Sequence, residues 1–479
     1  MRQKILLQLK YVLLFYLFLK LPQYSFSQDY AWDTKETREI GAALKHGIFA
    51  AGESLLSNGV VMLFNKYVTR TNWAFPTSES IKGNFTTPWE WEEVDGFFVN
   101  QLGHPYQGSY YFNAGRVNGF GFYESVFFSA FGSAIWETLG ESKHAGMNDF
   151  VTTVFGSMVM GEVLYRLYIE ARSGGVPAPV AFFINPMAGF HSLITGWKPP
   201  EIESNIYQFE AYTGTVYSDI NFSASGLQQD VFSFRGFSGN IGMNIIYGNP
   251  FKQETWIPFR HFEFMAGFGL NPGKYKDIRV NIDGYIFSFS PVYTNKNMLS
   301  TGLSMHLDFV SQGKSGIVDS TIDQYSNAID WTVKYEHLFS ENTVLQIKNH
   351  AGFTFLGVSN YYNPSGVNHP YSPERTIYDI KTYGFGFNTK CFLIFQIMNF
   401  GRLETNLFSY FMWTYPGLVS LSKGYVSWHF FDITYSQFIT EKIFLRVMGS
   451  FAWEKGTFQG YPDTDKSSRA VKLFVGYSF

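Results

Sequence analysis

From about residue 205 to the C-terminus, apolar residues recur at every second position. Ile278, Val280, Ile282 and Ile286 alternate with Arg279, Asn281, Asp283 and Tyr285. Leu303, Met305, Leu307 and Phe309 alternate with Gly302, Ser304, His306 and Asp308. Ile329, Trp331, Val333 and Tyr335 do so with Asp330, Thr332, Lys334 and Glu336. Successive side chains of a strand point to opposite faces, so each segment has one greasy and one polar face. Two architectures satisfy that pattern. A water-soluble sandwich turns the apolar faces inward, whereas a membrane barrel turns them outward, toward hydrocarbon.

The connections choose between them. About twelve such segments can be marked off, an even number as a bacterial barrel requires, between residues 208 and 479. From the fifth onward the links alternate: 311–327 is long, 340–342 short, 359–377 long, 396–401 short, 416–424 medium, 440–441 minimal and 456–468 long. Long loops on one side and tight turns on the other are the outer-membrane arrangement, with the tight turns and both flanks of the barrel toward the periplasm. The last stretch, RAVKLFVGYSF, puts Val471, Leu473, Val475, Tyr477 and Phe479 on one face and ends on phenylalanine. It resembles the closing strand of bacterial outer-membrane β-barrel proteins. Aromatic residues make up 19% of the chain and charged residues 16%, a balance suited to aromatic girdles at two membrane interfaces. The fold class expected is therefore mainly β: a transmembrane antiparallel β-barrel of about 12 strands, residues 201–479, preceded by a small α-helical domain.

The expected interior face carries both signs of charge: Arg279, Asp283, Asp308, Lys334, Glu336, Lys348, Glu404, Arg446 and Lys472. Such a set can fill a narrow lumen with ion pairs and argues against a wide pore. Ser304, His306 and Asp308 share that face. Alternate residues lie ~6.6 Å apart on a strand, too far to hydrogen-bond in series without another strand's help, so the expectation is ordinary lumen-facing residues.

Residues 1–27 read as a secretory signal peptide: Arg2, Lys4 and Lys10, then the apolar run YVLLFYLFL, then Ser25-Phe26-Ser27 before Gln28. Lys20 and Pro22 end the apolar run well short of the ~20 residues of a spanning helix. The formal net charge of -3 implies no nucleic-acid partner, and the single cysteine, Cys391, excludes an intrachain disulfide. Outer-membrane lipids and the barrel assembly machinery are the partners such an architecture implies. No motif for a nucleotide, haem or zinc is present, so neither cofactor nor metal is expected.

Residues 28–200 form the helical domain, expected on the periplasmic side or associated with the membrane, with its core at 70–170. A helical pattern covers 38–68, and turn chemistry dominates 73–95. Two further helices can be read beyond it. In one, Ser125, Ser129, Ser133, Glu137 and Glu141 recur at every fourth position; in the other, Asp149, Thr153, Ser157 and Gly161 do. Four-residue spacing lines each set along one face, and small residues let backbones approach closely. The short link 142–148 folds the two back on each other and brings Glu141 near Asp149, with Glu137 a turn deeper. Carboxylates on one seam repel, so at least one is expected to have a raised pKa or a cation partner: Arg116, His104, His144 or a metal. The structural alternative has Asn148 or Asp149 capping a helix and Glu162 paired with Arg166 one turn on.

The ordered set His104-Pro105, Gly108, Tyr110, Arg116, Gly119, Ser125, Trp136-Glu137, Glu141, Asn148-Asp149, Gly156 and Gly161-Glu162 resembles the core of an uncharacterised bacterial envelope family, domain of unknown function 3943. The histidine, the glutamates before a loop and the Asp with spaced glycines behind it are similar, more distantly, to VanZ-like membrane proteins; the Asp-Lys of that pattern is absent, since Asp95 is followed by Gly96. The first resemblance implies an envelope helical module joined to a barrel. Three functions follow as expectations: a structural or envelope-maintenance protein; an envelope enzyme acting on a lipid or glycolipid; or a channel or export pore. In the second, Glu137, Glu141, Asp149 and His104 would be catalytic, and Arg116, Asn148 and Glu162 would bind.

Overall fold

A computed structural model describes residues 40–71, 75–89, 91, 96–224, 232–251, 255–270, 275–314, 320–369, 372–397, 400–414, 423–459 and 461–479. The expected signal peptide, residues 1–27, and Asp95 lie outside the described residues. Twelve strands run antiparallel to their neighbours: β1 (Ile206–Ala224), β2 (Phe232–Tyr247), β3 (Phe262–Leu270), β4 (Tyr275–Tyr293), β5 (Asn297–Lys314), β6 (Ser320–Ser340), β7 (Thr343–His369), β8 (Ser372–Ile397), β9 (Gly401–Thr414), β10 (Gly424–Phe438), β11 (Ile443–Phe458) and β12 (Tyr461–Ser478). Each pairs with the next in sequence, and β1 pairs with β12, so the sheet closes into a barrel. Closure runs from Glu210↔Ser478 to Ala224↔Thr464. The terminal Phe479 extends it: its N–H donates to Phe209 O at 2.9 Å, and the two rings stack at 4.7 Å.

The links 294–296, 341–342, 398–400 and 439–442 are short and share one end of the barrel with the entry to β1 and the end of β12. At the other end the structure departs from expectation. The stretches read as long loops, 311–327 and 359–377, are largely strand: β5 runs on to Lys314, β6 starts at Ser320, and β7 and β8 extend to His369 and from Ser372. Their polar, Ser-, Thr- and Asn-rich composition removed the alternation but not the ladder. Backbone pairing above a bilayer needs no greasy face.

The outer face carries Ile241, Leu403, Val447, Phe451, Val471, Leu473 and Val475, all exposed. The interior is filled. Arg279 of β4 reaches Asp432 of β10 at 2.5 Å. Arg402 and Arg446 both hold Glu210, each at 2.7 Å. Lys472 holds Asp277 at 3.2 Å, and Lys466 holds Glu454 at 2.9 Å. An aromatic layer of Phe408, Tyr410, Trp428 and Phe430 is also buried inside, which the alternation alone did not foretell.

The helical domain comprises α1 (Ile40–Tyr67), α2 (Ser78–Thr86), a π-helical turn (Val99–Gly103), α3 (His104–Val117), α4 (Phe122–Ile135), a second π-helical turn (Trp136–Gly140), α5 (Met147–Ser173), α6 (Ala178–Ile184) and α7 (Pro186–Thr195). Sequence reading found α1, α4 and α5 but not α3. The domain does not plug the lumen. It packs on the barrel's outer wall, against the face that bears Met305, Leu307 and Phe309. Phe97 and Phe98 meet the Phe309 ring at 5.6 and 5.9 Å. Phe155 meets Phe355 at 4.5 Å, and Phe122 meets Phe259 at 5.7 Å. Asn327 sits directly opposite Leu307 and so faces outward, yet it is 1% exposed. The helices cover it, and Tyr325 Oη donates to its Oδ1 at 2.5 Å.

Val471 lies midway up the lipid-facing side of β12 and is 54% exposed. Val471→Arg should destabilise the folded barrel by about 2–4 kcal/mol, the cost of a cation at the bilayer midplane. Urea titration of refolding into vesicles measures it, and an unchanged midpoint would contradict an outward, lipid-facing Val471.

A buried polar cluster in the helical domain

The helices of this domain approach closely because small residues line their contacts. A Cβ on Gly108 of α3 would lie 2.6 Å from Thr153 O, and one on Gly115 would lie 2.7 Å from Ser125 Oγ. The serine seam meets where Ser157 Oγ donates to Ser129 Oγ at 2.8 Å. In this close packing sit the polar residues singled out by sequence, and they divide into two groups.

The first group lies at the start of α5. His104, the first residue of α3, sets Nδ1 3.2 Å from Thr153 Oγ1 and Nε2 3.6 Å from Asp149 Oδ2. Asn148 Nδ2 donates to Asp149 Oδ1 at 2.7 Å. Glu137, fully buried, accepts from Gly146 N–H at 2.9 Å, and Asn84 Nδ2 donates to the Glu137 carbonyl at 3.1 Å. Glu141 is buried at the extended residue that ends the second π-helical turn. Both π-helical turns thus deliver site residues, His104 after one and Glu137 within the other; such turns recur at functional sites. His144, the third cation candidate, sets its Nε2 3.0 Å from Pro88 O.

The second group lies along the same helix from Glu162, 13 residues on from Asp149, which is ~20 Å of helix. Glu162 stands between two guanidinium groups, with Arg116 Nε and Arg166 Nε each 2.9 Å from it. Arg116 also lies over the Tyr165 ring at 4.5 Å. Arg166 Nη2 donates to Pro258 O at 3.0 Å, which ties this group to the barrel. Nearby, Glu53 of α1 accepts from Asn118 at 2.7 Å and pairs with His191 Nδ1 of α7 at 2.7 Å. Arg116 and Glu162 therefore do not join His104 and Asp149 in one site.

Sequence reasoning missed Glu53, Asn118 and His191. Glu53 carried a signal, a carboxylate inside an otherwise apolar helix; His191, far away in sequence, carried none. It also missed Asn100 and Gln101, in the first π-helical turn beside His104. Both are fully buried, and neither side-chain amide has a hydrogen-bond partner; Asn148 Oδ1 and Thr152 Oγ1 on α5 are likewise unsatisfied. Each orphan of this kind costs about 1–3 kcal/mol. The arrangement offers carboxylates, an imidazole and spare amide groups to a polar guest. It offers no thiolate, and the acids are held by protein donors.

Residues 88–187 match the family model described as Domain of unknown function (DUF3943), and a closed barrel of twelve strands follows it. That span contains all seven of the residues expected to form a site. No curated protein matches the chain. Among solved structures, it is similar to a deltaS2 mutant of the monoaromatic hydrocarbon channel TodX at 10% identity, over 58% of this chain and 90% of that one, with a TM-score of 0.24. It is similar to the NanC porin at 8% identity, over 54% and 98%, with a TM-score of 0.23. The Ralstonia pickettii toluene transporter TbuX gives 10%, 58%, 90% and 0.23. Likeness at this level carries no function across.

Glu162→Ala would leave Arg116 and Arg166 buried without their shared carboxylate. The expected loss is about 3–5 kcal/mol, as when one partner of a buried pair is removed. It should appear as protease sensitivity confined to the helical domain, while the barrel keeps its heat-modifiable migration. Unchanged resistance to protease would show the pair to be unimportant.

Proposed function

We propose that this protein resides in the bacterial outer membrane, where its filled barrel anchors the helical module in the plane of the bilayer, in a structural or envelope-maintenance role. The observation that carries the reading is an inverted distribution of polarity. Between residues 96 and 197 no charged residue is exposed. The exposed large side chains there are Phe98, Val99, Tyr106, Tyr123, Phe127, Leu139, Val180, Phe182, Phe183, Leu193 and Ile194. Meanwhile His104, Arg116, Glu137, Glu141, Asp149, Glu162 and Arg166 are buried. A water-soluble domain does the reverse. α1 agrees: residues Leu44–Tyr67 are long and apolar enough to cross a membrane. Height agrees too. Contacts with the wall run from Pro258 and Phe259, near the short-turn end, to Phe309, 12 residues along β5 from Asn297. In tilted strands that is roughly 30 Å, a bilayer's hydrocarbon thickness.

The expected periplasmic position of the domain gives way, in this reading, to lateral burial in lipid beside the barrel. Its entry to β1 and the C-terminus still lie at the short-turn, periplasmic end. The ion pairs and aromatic layer that fill the lumen weigh against a pore. A second reading, chemistry on a lipid head group, is favoured by one observation: the unpaired amides of Asn100 and Gln101 beside the His104–Asp149 pair. Ionisable groups inside a membrane mark function more often than packing.

Nitroxide labels at Ile48→Cys and Phe127→Cys, in a Cys391→Ser background reconstituted in vesicles, should be reached by oxygen and shielded from a water-soluble nickel chelate. The opposite accessibility would sink the proposal. In planar bilayers the intact protein should pass no steady current. Asp149→Asn and Glu137→Gln then separate the two readings: a change in one lipid species with a normally assembled barrel favours chemistry.

A further inference from the structure

The lumen holds a second polar cluster, on three adjacent strands. His306 of β5, Asp330 of β6 and His350 of β7 all point inward and are at most 1% exposed. One ligand-type atom from each lies within 4.8 Å of the other two. His306 Nε2 and Asp330 Oδ2 are 3.4 Å apart. The two imidazole rings meet edge to face at 4.6 Å.

Two atoms of this cluster lack hydrogen-bond partners: His350 Nε2 and Asp330 Oδ2. Their companion atoms are held. His350 Nδ1 lies 2.6 Å from Thr332 Oγ1, and Asn388 Nδ2 donates to Asp330 Oδ1 at 2.9 Å. Such outer contacts fix ring orientation and leave the far nitrogen and the far oxygen without a hydrogen-bond partner, as second-shell partners do around a metal ligand. Asp330 also has no Lys or Arg within ion-pair distance among the described residues, whereas its neighbours Asp283 and Asp308 have lysines. The buried carboxylate lacks a cation of its own.

A hydrolytic triad does not explain the cluster. Ser304 Oγ does reach His306 Nε2, at 2.7 Å, which corrects the expectation that same-face neighbours on one strand stay out of reach; the imidazole leans along the strand. But Asp330 approaches that same nitrogen, and Nδ1 faces Lys390 Nζ at 3.0 Å. A triad needs a carboxylate on Nδ1.

We infer that His306, Asp330 and His350 form a site for one divalent transition-metal ion of the zinc type. Two imidazoles and a carboxylate are a recurrent ligand set that leaves a fourth position open. Ligands at about 2.0–2.1 Å in a tetrahedron stand roughly 3.4 Å apart, the separation already present between His306 and Asp330. With Nε2 on the ion, Ser304 Oγ gives up that nitrogen and keeps Thr332 Oγ1 and Asp330 O as partners; His306 carries its proton on Nδ1, and Lys390 turns wholly to Asp308, its partner at 2.5 Å. The aromatic layer on one side and the Glu263, Lys334 and Lys348 group on the other close the lumen around the cluster. The ion therefore enters as the barrel folds and exchanges slowly afterwards.

The test is to refold the full chain in detergent with Zn²⁺, remove free metal on a desalting column and measure bound zinc. About one zinc per folded chain is expected. His350→Ala and Asp330→Asn should retain at least tenfold less while keeping heat-modifiable migration, and Asn388→Ala should bind 10–100-fold more weakly. Should either ligand variant fail to fold, Co²⁺ in the wild-type chain provides the second readout, with tetrahedral visible bands expected. A folded wild-type barrel that keeps no zinc and shows no such bands, or ligand variants that keep zinc at the wild-type level, would overturn the site.

Discussion

Everything in this molecule depends on the closure of one sheet. Hydrocarbon offers no hydrogen bonds, so each strand's N–H and C=O groups must be met by a neighbouring strand. The register of β1 on β12 meets that demand at the seam where the chain's first and last strands join. It explains why the final eleven residues carry so much information. They are apolar outside, pair on both edges, and bring Phe479 level with the entry to β1, where its N–H donates to Phe209 O. Once the cylinder is closed, lumen-facing charges are enclosed whether or not a channel results. Long side chains of both signs then fill the space by pairing across it.

In the position proposed for it, the helical module meets the same solvent problem differently. Helices satisfy their own backbones and can lie in lipid without an edge partner. There the cost falls on side chains: between residues 96 and 197 no charged residue is exposed. Arg116, Glu162 and Arg166 therefore neutralise one another in the interior, and Glu53 takes His191. Small residues permit this by bringing α3, α4 and α5 close enough for short polar contacts. Interaction with the barrel completes the module: Arg166 reaches the carbonyl of Pro258, and a ladder of phenylalanines joins the two surfaces.

How much of this was legible follows from which forces act locally. Strand alternation reports a face-by-face environment, so the barrel, its even strand number and its closing strand could be read directly. The strand ends above the bilayer could not, because Ser- and Thr-rich hairpins pair without alternating. Small-residue spacing revealed α4 and α5. It did not reveal α3, whose run from His104 to Val117 mixes glycine, asparagine and tyrosine and whose apolar stripe is broken. Glu162 with Arg166 was visible as a one-turn pair; Arg116 joined it only through packing. The two groups of polar residues looked like one site because sequence order hides the ~20 Å of helix that separates them. His306, Asp330 and His350 belong to three strands with ordinary lumen-facing residues between them, and only register aligns them.

That register has a further consequence for β5, β6 and β7. These strands have the module against their outer face and the packed lumen against their inner face. Met305 and Leu307 are buried under helices, while Ser304, His306 and Asp308, one residue away on the same strand, are buried in the lumen. Here the wall is packed on both sides, and the metal site proposed at His306, Asp330 and His350 would need that rigidity, since ligands must be held to within about 0.5 Å. Removing the helical module would expose Asn327 and the phenylalanine ladder to lipid. The module and the His306–Asp330–His350 cluster thus lie on opposite faces of a single thickness of sheet.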